Sequence, residues 1–465
     1  MSGHGPSSPI PLFDALEGFL HGAHDKQGVH LQVRPILFTA LAAMIAFTII
    51  APRQTFYNFQ LLIFLMPVWA SIMLSKLAYE RWVEANRMAY ISRQEHILLE
   101  IRMPRDTRKS PLAMEAVLTN LHLSPGESTW WKRIVNGAVR PWFSLEMVSL
   151  GGRVHFYVWT RKGFRRAIEN AFYSQYPDIE IVEAMDYSLL YDPSHAPNSM
   201  WGCDYDFGDK PDAYPIRTYA DFMDPNKPLD KPEETIDPMA QIYEQLASMG
   251  PKEQFWIQIM IRVTKGEKYK GKLTASGKPY TWKDEGRDVI EGIRKEAQMQ
   301  TEYVDKETGE IKKVPGFPNP TEGQKDRIKA IERNISKPGF DVGIRAIYTA
   351  PEDAFQGSTI TNVVSLWKPI NSEAYNSLGC TRWDSIFNDW PWEDPGGHHK
   401  AHLEHQLVDA YRRRSYFHEP YRTPWMVMSV EELATIFHVP SAGVKIPGLG
   451  RIESSTAEAP GNLPT

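Results

Sequence analysis

Histidine side chains are concentrated in the segment GGHHKAHLEHQ near the end of the chain. The candidate metal ligands in it are His398, His399, His402, Glu404 and His405. On a helix His398 and His402 share a face, as do His402 and His405, and imidazole nitrogens at such spacing can bind Zn²⁺. The order HExxH, which adds a general base to two zinc ligands, is not present. We therefore expect no resident metal, and a zinc-dependent hydrolase ranks last among the functions considered.

A second segment, GEKYKGKL at residues 266–273, has a glycine and lysine pattern similar to a phosphate-binding P-loop. In a P-loop the lysine is followed by Ser or Thr, whose hydroxyl binds Mg²⁺, but Leu273 stands at that place. A solvated basic loop explains the segment better. The sequence also has no Ser-His-Asp order, no paired carboxylates at a defined spacing and no dinucleotide fingerprint. We predict no enzyme activity and no cofactor.

Basic side chains are frequent between residues 100 and 170, whereas acidic ones dominate between residues 178 and 250, so the net charge of −5 hides an asymmetry. The basic part could contact nucleic acid or anionic lipid, or it could simply be a solvated face. The candidate contact residues are Arg105, Arg108, Lys109, Lys132, Arg133, Arg161, Lys162, Arg165 and Arg166.

Two apolar runs near the N-terminus are candidate membrane-spanning segments. They cover residues 35–50 and 59–79 and are separated by APRQTFYN; the second run carries a single charge, Lys76. A spanning helix needs roughly 20 apolar residues, so the second run suffices and the first is slightly short. Acidic, polar sequence before the runs argues against a signal peptide, and their low charge argues against a soluble core hairpin. Basic residues flank the pair, which predicts that both termini are cytoplasmic.

The remaining chain shows the periodicity of an α+β protein. Residues 96–187 have the order βαββαβ of a ferredoxin-like domain, with a hairpin at Gly151-Gly152. Residues 188–380 predict a second α+β domain with a long charged insertion, either ferredoxin-like or irregular. Residues 1–34 contain a short amphipathic helix, residues 35–95 two transmembrane helices and a stalk, and residues 381–465 a tail rich in Trp and His. The only cysteines, Cys203 and Cys380, give no disulfide framework, which fits a reducing compartment.

Several stretches resemble a family of poorly characterised bacterial membrane proteins that are associated with, or fused to, ATPases of the conjugation and type IV secretion class. They include SPLAMEAVLTNLH, WFSLEMVSLGGRVHFYVWT, KPDAYPIRTYADF and the terminal EELATIFHVP…PGL…APGNLP. The resemblance implies a setting at the bacterial inner membrane and a separate ATPase partner. It carries over no catalytic residue.

These observations favour a non-enzymatic, membrane-anchored scaffold of a secretion-like machine, which contacts lipid, forms a homo-oligomer and docks a cytoplasmic ATPase through its tail. The predicted docking residues are Glu431, Glu432, Leu433, Ile436, Phe437 and His438. Two alternatives remain open: a membrane module that contacts nucleic acid, and a structural protein of a membrane-containing virus or another large membrane assembly.

Overall fold

The computed structural model describes residues 46, 48–104, 109–124, 126–190, 198–222, 237–304, 311–381, 398–440 and 451–452. The chain divides into two compact units, Met1–Asn86 and Arg87–Thr465. The predicted α+β class is confirmed, because the second unit combines a large, mainly antiparallel sheet with helices.

The long helix α1, Pro52–Ser92, contains the second predicted apolar run. Most described apolar side chains of that run are exposed; Phe64 is 79% exposed and Ile72 is 68% exposed. Among the described residues it is the one helix that is long and apolar enough to cross a membrane. The predicted break APRQTFYN is already helical from Pro52, because proline is well tolerated at the first helical position. The first predicted span, residues 35–50, lies almost entirely outside the described residues.

The described strands divide into one large sheet and a small hairpin. The large sheet contains β1 (His96–Pro104), β2 (Trp142–Leu150), β3 (Arg153–Arg161), β4 (Glu180–Ala184), β5 (Asn198–Phe207), β6 (Gln254–Val263), β9 (Gly339–Pro351), β10 (Leu378–Thr381), β11 (Met426–Ser429) and β12 (Arg451–Ile452). The hairpin consists of β7 (Gln298–Val304) and β8 (Ile311–Pro318).

The helices of the second unit connect or cover these strands. They are α2 (Pro111–Asn120), α3 (Trp130–Ile134), α4 (Arg165–Gln175), α5 (Tyr187–Leu190), α6 (Tyr219–Phe222), α7 (Ala240–Ala247), α8 (Trp282–Glu296), α9 (Glu322–Ser336), α10 (Gly357–Val364), α11 (His398–Arg412) and α12 (Val430–Ile436).

The first four strands have the pairing order β4-β1-β3-β2, and every pair is antiparallel. With α2 between β1 and β2 and α4 between β3 and β4, this is the predicted βαββαβ order. The hairpin prediction is confirmed as well. Gly151 and Gly152 join β2 to β3 with φ of 62° and 82°, a left-handed conformation that glycine adopts without steric cost.

The next strands repeat that order as β10-β5-β9-β6, again with antiparallel pairs. Strand β6 pairs with β2 along its length, from Trp142 opposite Arg262 to Leu150 opposite Gln254. The two halves therefore share one continuous sheet, and the architecture is not a simple ferredoxin-like fold. The predicted boundary between residues 187 and 188 lies within this single unit, because the pairing of β2 with β6 joins the two halves.

The predicted charged insertion lies between β6 and β9, where the first half has only its Gly-Gly hairpin. It contains α8, the β7-β8 hairpin and α9. Helix α9 begins with a capping box, in which Thr321 and Gln324 satisfy each other's backbone N–H groups. Helices α8 and α9 pack together around Ile290, Ile293 and Ile331, and Ala213, from the segment after β5, completes this cluster. The insertion is therefore packed against the rest of the unit.

Side chains alternate between two buried faces of the large sheet. In β1, Leu99 packs into the core beneath α2, α4, α7 and α12, while Leu98 packs into a second cluster on the opposite face. That second cluster includes Trp256 from β6 and Tyr411 from α11. Helix α11 therefore covers this face of the sheet, whereas α12 packs in the helical layer on the other face. Strand β11 pairs with the first residues of β9.

Candidate functional site

The six predicted docking residues lie inside the second unit. Glu431, Glu432, Leu433, Ile436, Phe437 and His438 each have at most 3% exposure. The sequence predicts that the acidic start of this helix is exposed. In the structure it is buried, because residues far away in sequence supply partners for its charged side chains. Lys337 Nζ lies 2.6 Å from the Glu431 carboxylate, and His438 Nε2 lies 3.2 Å from Asp237. These side chains stabilise the fold and offer no surface to a partner.

The electrostatics of this buried helix follow from its partners. Burial raises the pKa of Glu432 to about 8, although its carboxylate accepts hydrogen bonds from the backbone N–H groups of Ser429 and Ile216. Burial lowers the pKa of His438, but the Asp237 carboxylate more than offsets this effect and the net shift is upward. A charged imidazole is thus stabilised in the interior.

The predicted basic contact residues differ in their exposure and in their ion pairs. Lys109, Lys132, Arg133, Lys162 and Arg166 are exposed, whereas Arg105 and Arg108 lie outside the described residues. Arg165 is occupied by ion pairs with Glu169 and Glu183. Arg161 alone among the described members of this set is buried.

Exposed aromatic side chains accompany part of this basic set. Trp130 and Trp131, in the short helix α3, are 58% and 60% exposed, and Lys132 and Arg133 follow them. The Thr129 side chain caps the helix by accepting a hydrogen bond from the Lys132 N–H. We name these four residues, Trp130 to Arg133, the tryptophan patch. Amphipathic rings beside cations are typical of surfaces that contact a lipid headgroup layer or stack on nucleic-acid bases.

Arg161 lines a cleft of about 480 Å³ at the point where β3 ends. We name it the Arg161 cleft; its lining residues are Tyr90, Gln94, Glu95, Gly126, Arg161, Lys162, Gly163 and Phe164. The Arg161 guanidinium lies 5.4 Å from the ring centre of Tyr90 and 5.3 Å from that of Trp142. Its Nη2 donates to the carbonyl oxygens of Val139 and Arg140 at 3.3 and 3.4 Å.

The buried guanidinium has no carboxylate partner among the described residues, and its Nε makes no hydrogen bond there. Burial consequently lowers the pKa of Arg161. Lys162, at the rim, is exposed and forms an ion pair of 2.8 Å with Glu95. The cleft therefore combines a buried, incompletely satisfied cation with a compensated pair at its entrance.

Two imidazoles lie near Trp142, whose ring centre is 6.1 Å from that of His96 and 5.6 Å from that of His418. Burial, followed by the charges of Arg161 and Arg414, lowers the pKa of His96 to about 4. Burial also lowers the pKa of His418, with Arg262 as the strongest of several contributing arginines. Both imidazoles are therefore neutral at physiological pH, chiefly because burial disfavours their charged forms.

A family model described as "Domain of unknown function (DUF8128)" matches residues 83–448. The chain belongs to the DUF8128 family. The matched segment includes both halves of the large sheet, the Arg161 cleft and the tryptophan patch. No curated protein is significantly similar to the sequence.

Within the DUF8128 segment, the histidine run begins helix α11. His402 and His405 are exposed and Glu404 is half-buried, and burial raises the pKa of Glu404. The side chains of His398 and His399 lie outside the described residues. In the described part of the chain, no group of three or more His, Cys, Asp or Glu side chains is arranged to hold a metal ion.

The loop that resembles a P-loop forms ion pairs with other parts of the DUF8128 segment. Gly266 adopts a left-handed conformation before a 3-10 turn at Glu267–Tyr269. Glu267 pairs with Arg140, Lys268 pairs with Asp212, and Tyr269 is buried. The predicted solvated loop is thus packed over part of its length.

One polar constellation of the DUF8128 segment was not predicted from the sequence. Glu146, in β2, is buried beneath α11 and accepts hydrogen bonds from Tyr187, Gln258 and Arg414. The sequence signal for this constellation is the single acidic residue in the apolar strand WFSLEMVSL, because a buried carboxylate needs hydrogen-bond partners. Nothing in the local sequence identifies those partners.

Proposed function

We propose that this protein is a non-enzymatic, membrane-anchored scaffold. The observation that supports this proposal is helix α1, whose apolar stretch has no buried residue in the described chain and whose last residues belong to the second unit. Continuous exposure of so many apolar side chains in water is unfavourable, and a lipid bilayer removes that cost. The soluble unit would then be held at the membrane surface.

The tryptophan patch supports a membrane-facing position of the folded unit. In the described part of the second unit, Trp130 and Trp131 are the exposed tryptophans, while Trp256, Trp282 and Trp367 are buried. Indole rings settle at the boundary between lipid and water, and neighbouring Lys and Arg side chains attract anionic headgroups. The patch would add a second contact with the cytoplasmic leaflet of the bacterial inner membrane.

A scaffold role is supported by the way in which the sheet is covered. Helices α2, α4, α7 and α12 fill one face, and α11 packs over the opposite face. Copies of the chain or other partners would therefore bind at sheet edges, loops and exposed patches. We propose a homo-oligomer, with a cytoplasmic secretion-type ATPase as partner; the ATPase rests on the family resemblance of the sequence. Since α12 is buried, docking through that helix is not part of the proposal.

Membrane anchoring is tested by charge insertion into α1. The double variant Phe64→Arg/Ile72→Arg places two cations in the apolar stretch, at a cost of about 3 kcal/mol each at a bilayer centre. We expect the wild type to stay in the membrane fraction after alkaline extraction and the variant to be released. The control Ala85→Arg/Ser92→Arg adds the same charge at exposed positions beyond the apolar stretch and should stay membrane-bound. Release of the wild type itself would contradict anchoring.

The scaffold proposal is tested by native mass spectrometry of the complex extracted in mild detergent. A closed homo-oligomer with a secretion-type ATPase is the expected result. A variant that ends at Pro440 keeps α12 and should lose the ATPase if the chain beyond this point docks it. A monomer without companions would contradict the scaffold proposal while leaving the anchoring result intact.

A further inference from the structure

The Arg161 cleft is not explained by the scaffold role. A buried donor without an acceptor costs about 1–3 kcal/mol, and more when the group is charged. Arg161 is 7% exposed as a residue, yet its Nε has no hydrogen bond among the described residues. The guanidinium interacts with the Tyr90 side chain, including its hydroxyl, with the Trp142 ring and with two carbonyl oxygens, but with no described carboxylate. An acceptor supplied by a bound group would remove this cost.

We propose that the Arg161 cleft binds a phosphate group. A phosphate presents several acceptor oxygens and a negative charge, and the planar guanidinium matches its geometry with parallel donors. The cleft volume of about 480 Å³ fits a small phosphorylated group rather than a single water molecule.

The rim of the cleft can adapt to such a ligand. Among the described residues that line the cleft, Glu95 is the one carboxylate, and its charge is compensated by Lys162 Nζ at 2.8 Å. Exposed pairs of this kind contribute little to stability, so Lys162 can reorient toward a phosphate at small cost. Gly163 also lines the cleft, and a Cβ built there has no neighbour within 4 Å, so a side chain has room at this position.

Two sources could supply this phosphate: the headgroup of an anionic phospholipid or a free phosphorylated metabolite. Tyr90 lies on α1 about three helical turns after Tyr79, at the end of the apolar run. A headgroup source therefore rests on the proposed membrane anchoring, whereas the phosphate chemistry itself does not.

The test uses the full-length protein in zwitterionic detergent, with inorganic phosphate and glycerol 3-phosphate as probes and acetate at equal ionic strength as the comparison. Binding is measured by calorimetry and by the shift in Tm. We expect phosphate to raise Tm by several degrees and acetate to leave it unchanged. Equal shifts with acetate and phosphate would overturn the proposal, because they would indicate a general salt effect.

Variants at Gly163 separate binding from folding. Gly163→Asp adds a carboxylate where a side chain has room, so it should weaken phosphate binding at least tenfold with an unchanged Tm in the absence of phosphate. Gly163→Asn has nearly the same shape and should bind phosphate like the wild type. Arg161→Gln should abolish binding, whereas Arg166→Gln, at an exposed position outside the cleft, should not. Wild-type affinity in Gly163→Asp would overturn the proposal even if Arg161→Gln fails to fold.

Nanodiscs distinguish the two sources. If phosphatidate nanodiscs raise Tm relative to pure phosphatidylcholine and suppress the response to free phosphate, the headgroup is the occupant. If the response to free phosphate is the same in both nanodiscs, the ligand is a free phosphorylated metabolite. Absence of any phosphate response in detergent and in both nanodiscs would overturn the proposal. The detergent measurement needs no bilayer, so a failure of membrane anchoring remains distinguishable from a failure of phosphate binding.

Discussion

Arg414 donates hydrogen bonds to both carboxylate oxygens of Glu146, at 3.0 Å from Nε and 3.1 Å from Nη2, across 268 positions of sequence. Both side chains are at most 1% exposed. Arg414 also pairs with Asp186, and it adopts a positive φ of 48°, which is uncommon for a residue with a side chain. The pair joins the end of the α11 segment to the centre of β2.

The first prediction concerns this pair. Arg414→Met should reduce the free energy of unfolding by about 3–5 kcal/mol, because it leaves the Glu146 charge buried without its cation. The measurement is urea unfolding of the full-length protein in detergent, followed by circular dichroism. Arg413→Met is the matched control, since Arg413 forms an exposed pair with Asp409 and its loss should cost less than about 1 kcal/mol. Equal destabilisation by the two variants would contradict the role of the buried pair.

The second prediction concerns the close approach of Tyr416 to the sheet. A Cβ at Gly343, in β9, would lie 2.4 Å from the Tyr416 ring, and the ring is buried. Gly343→Ala should therefore lower the free energy of unfolding by about 1–3 kcal/mol, the usual cost of overpacking.

Gly292→Ala provides the control for this prediction. Gly292 lies within α8 and a Cβ there meets nothing within 4 Å, so alanine should stabilise the helix by about 0.5–1 kcal/mol. Thermal unfolding of both variants gives opposite signs if Tyr416 packs as described. A neutral Gly343→Ala would show that the segment after α11 can move away from the sheet.

Local pattern was sufficient to predict much of the first half of the sheet. The alternation of apolar residues predicted β2 and β3, and Gly151-Gly152 predicted the turn between them, as the structure confirms. These features depend on residues close together in sequence. The pairing of β2 with β6 could not be predicted in the same way, because two nearly continuous apolar strands carry no local signal of register.

The burial of the candidate site residues is likewise not predictable from local sequence. The sequence identifies the basic residues near β3 but does not separate buried Arg161 from its exposed neighbours. The rings that lie against its guanidinium, Tyr90 and Trp142, belong to other elements. For α12, the local sequence resembles an exposed acidic helix. Lys337 and Asp237, which neutralise its charges, lie about 100 and 200 positions away, so its burial depends on contacts that local sequence does not encode.

The third prediction concerns the pH dependence of stability at His438. Its pKa is raised in the folded state above the ordinary value of 6.5. The folded protein therefore binds the proton more tightly than the unfolded chain, and the contribution of His438 is complete below pH 6.5. This contribution should be lost as pH rises from 6.5 through the folded pKa.

The measurement is the free energy of unfolding between pH 5.5 and pH 9 for the wild type and His438→Gln. Glu432, whose pKa is raised to about 8, gives a slope of the same sign, so the informative quantity is the difference between the two proteins. That difference should shrink as pH rises above 6.5. A difference that grows toward alkaline pH would contradict an ion pair between His438 and Asp237.

The fourth prediction concerns the tryptophan patch. If Trp130 and Trp131 contact the bilayer, lipids with spin labels near the headgroup should quench part of the tryptophan fluorescence of the full-length protein in nanodiscs. Trp130→Ala/Trp131→Ala should lower the quenched fraction, because tryptophans on α1 contribute equally to both proteins. Trp282→Phe removes a buried indole and should leave the absolute quenched signal unchanged. Unchanged quenching in the double variant would contradict a membrane contact.

A single-stranded oligonucleotide tests the alternative, in which the patch contacts nucleic acid. Base stacking on indole and phosphate contacts to Lys132 and Arg133 would make the oligonucleotide quench the wild type in a steeply salt-dependent manner. If it did so and failed to quench the double variant, the patch would be assigned to nucleic acid.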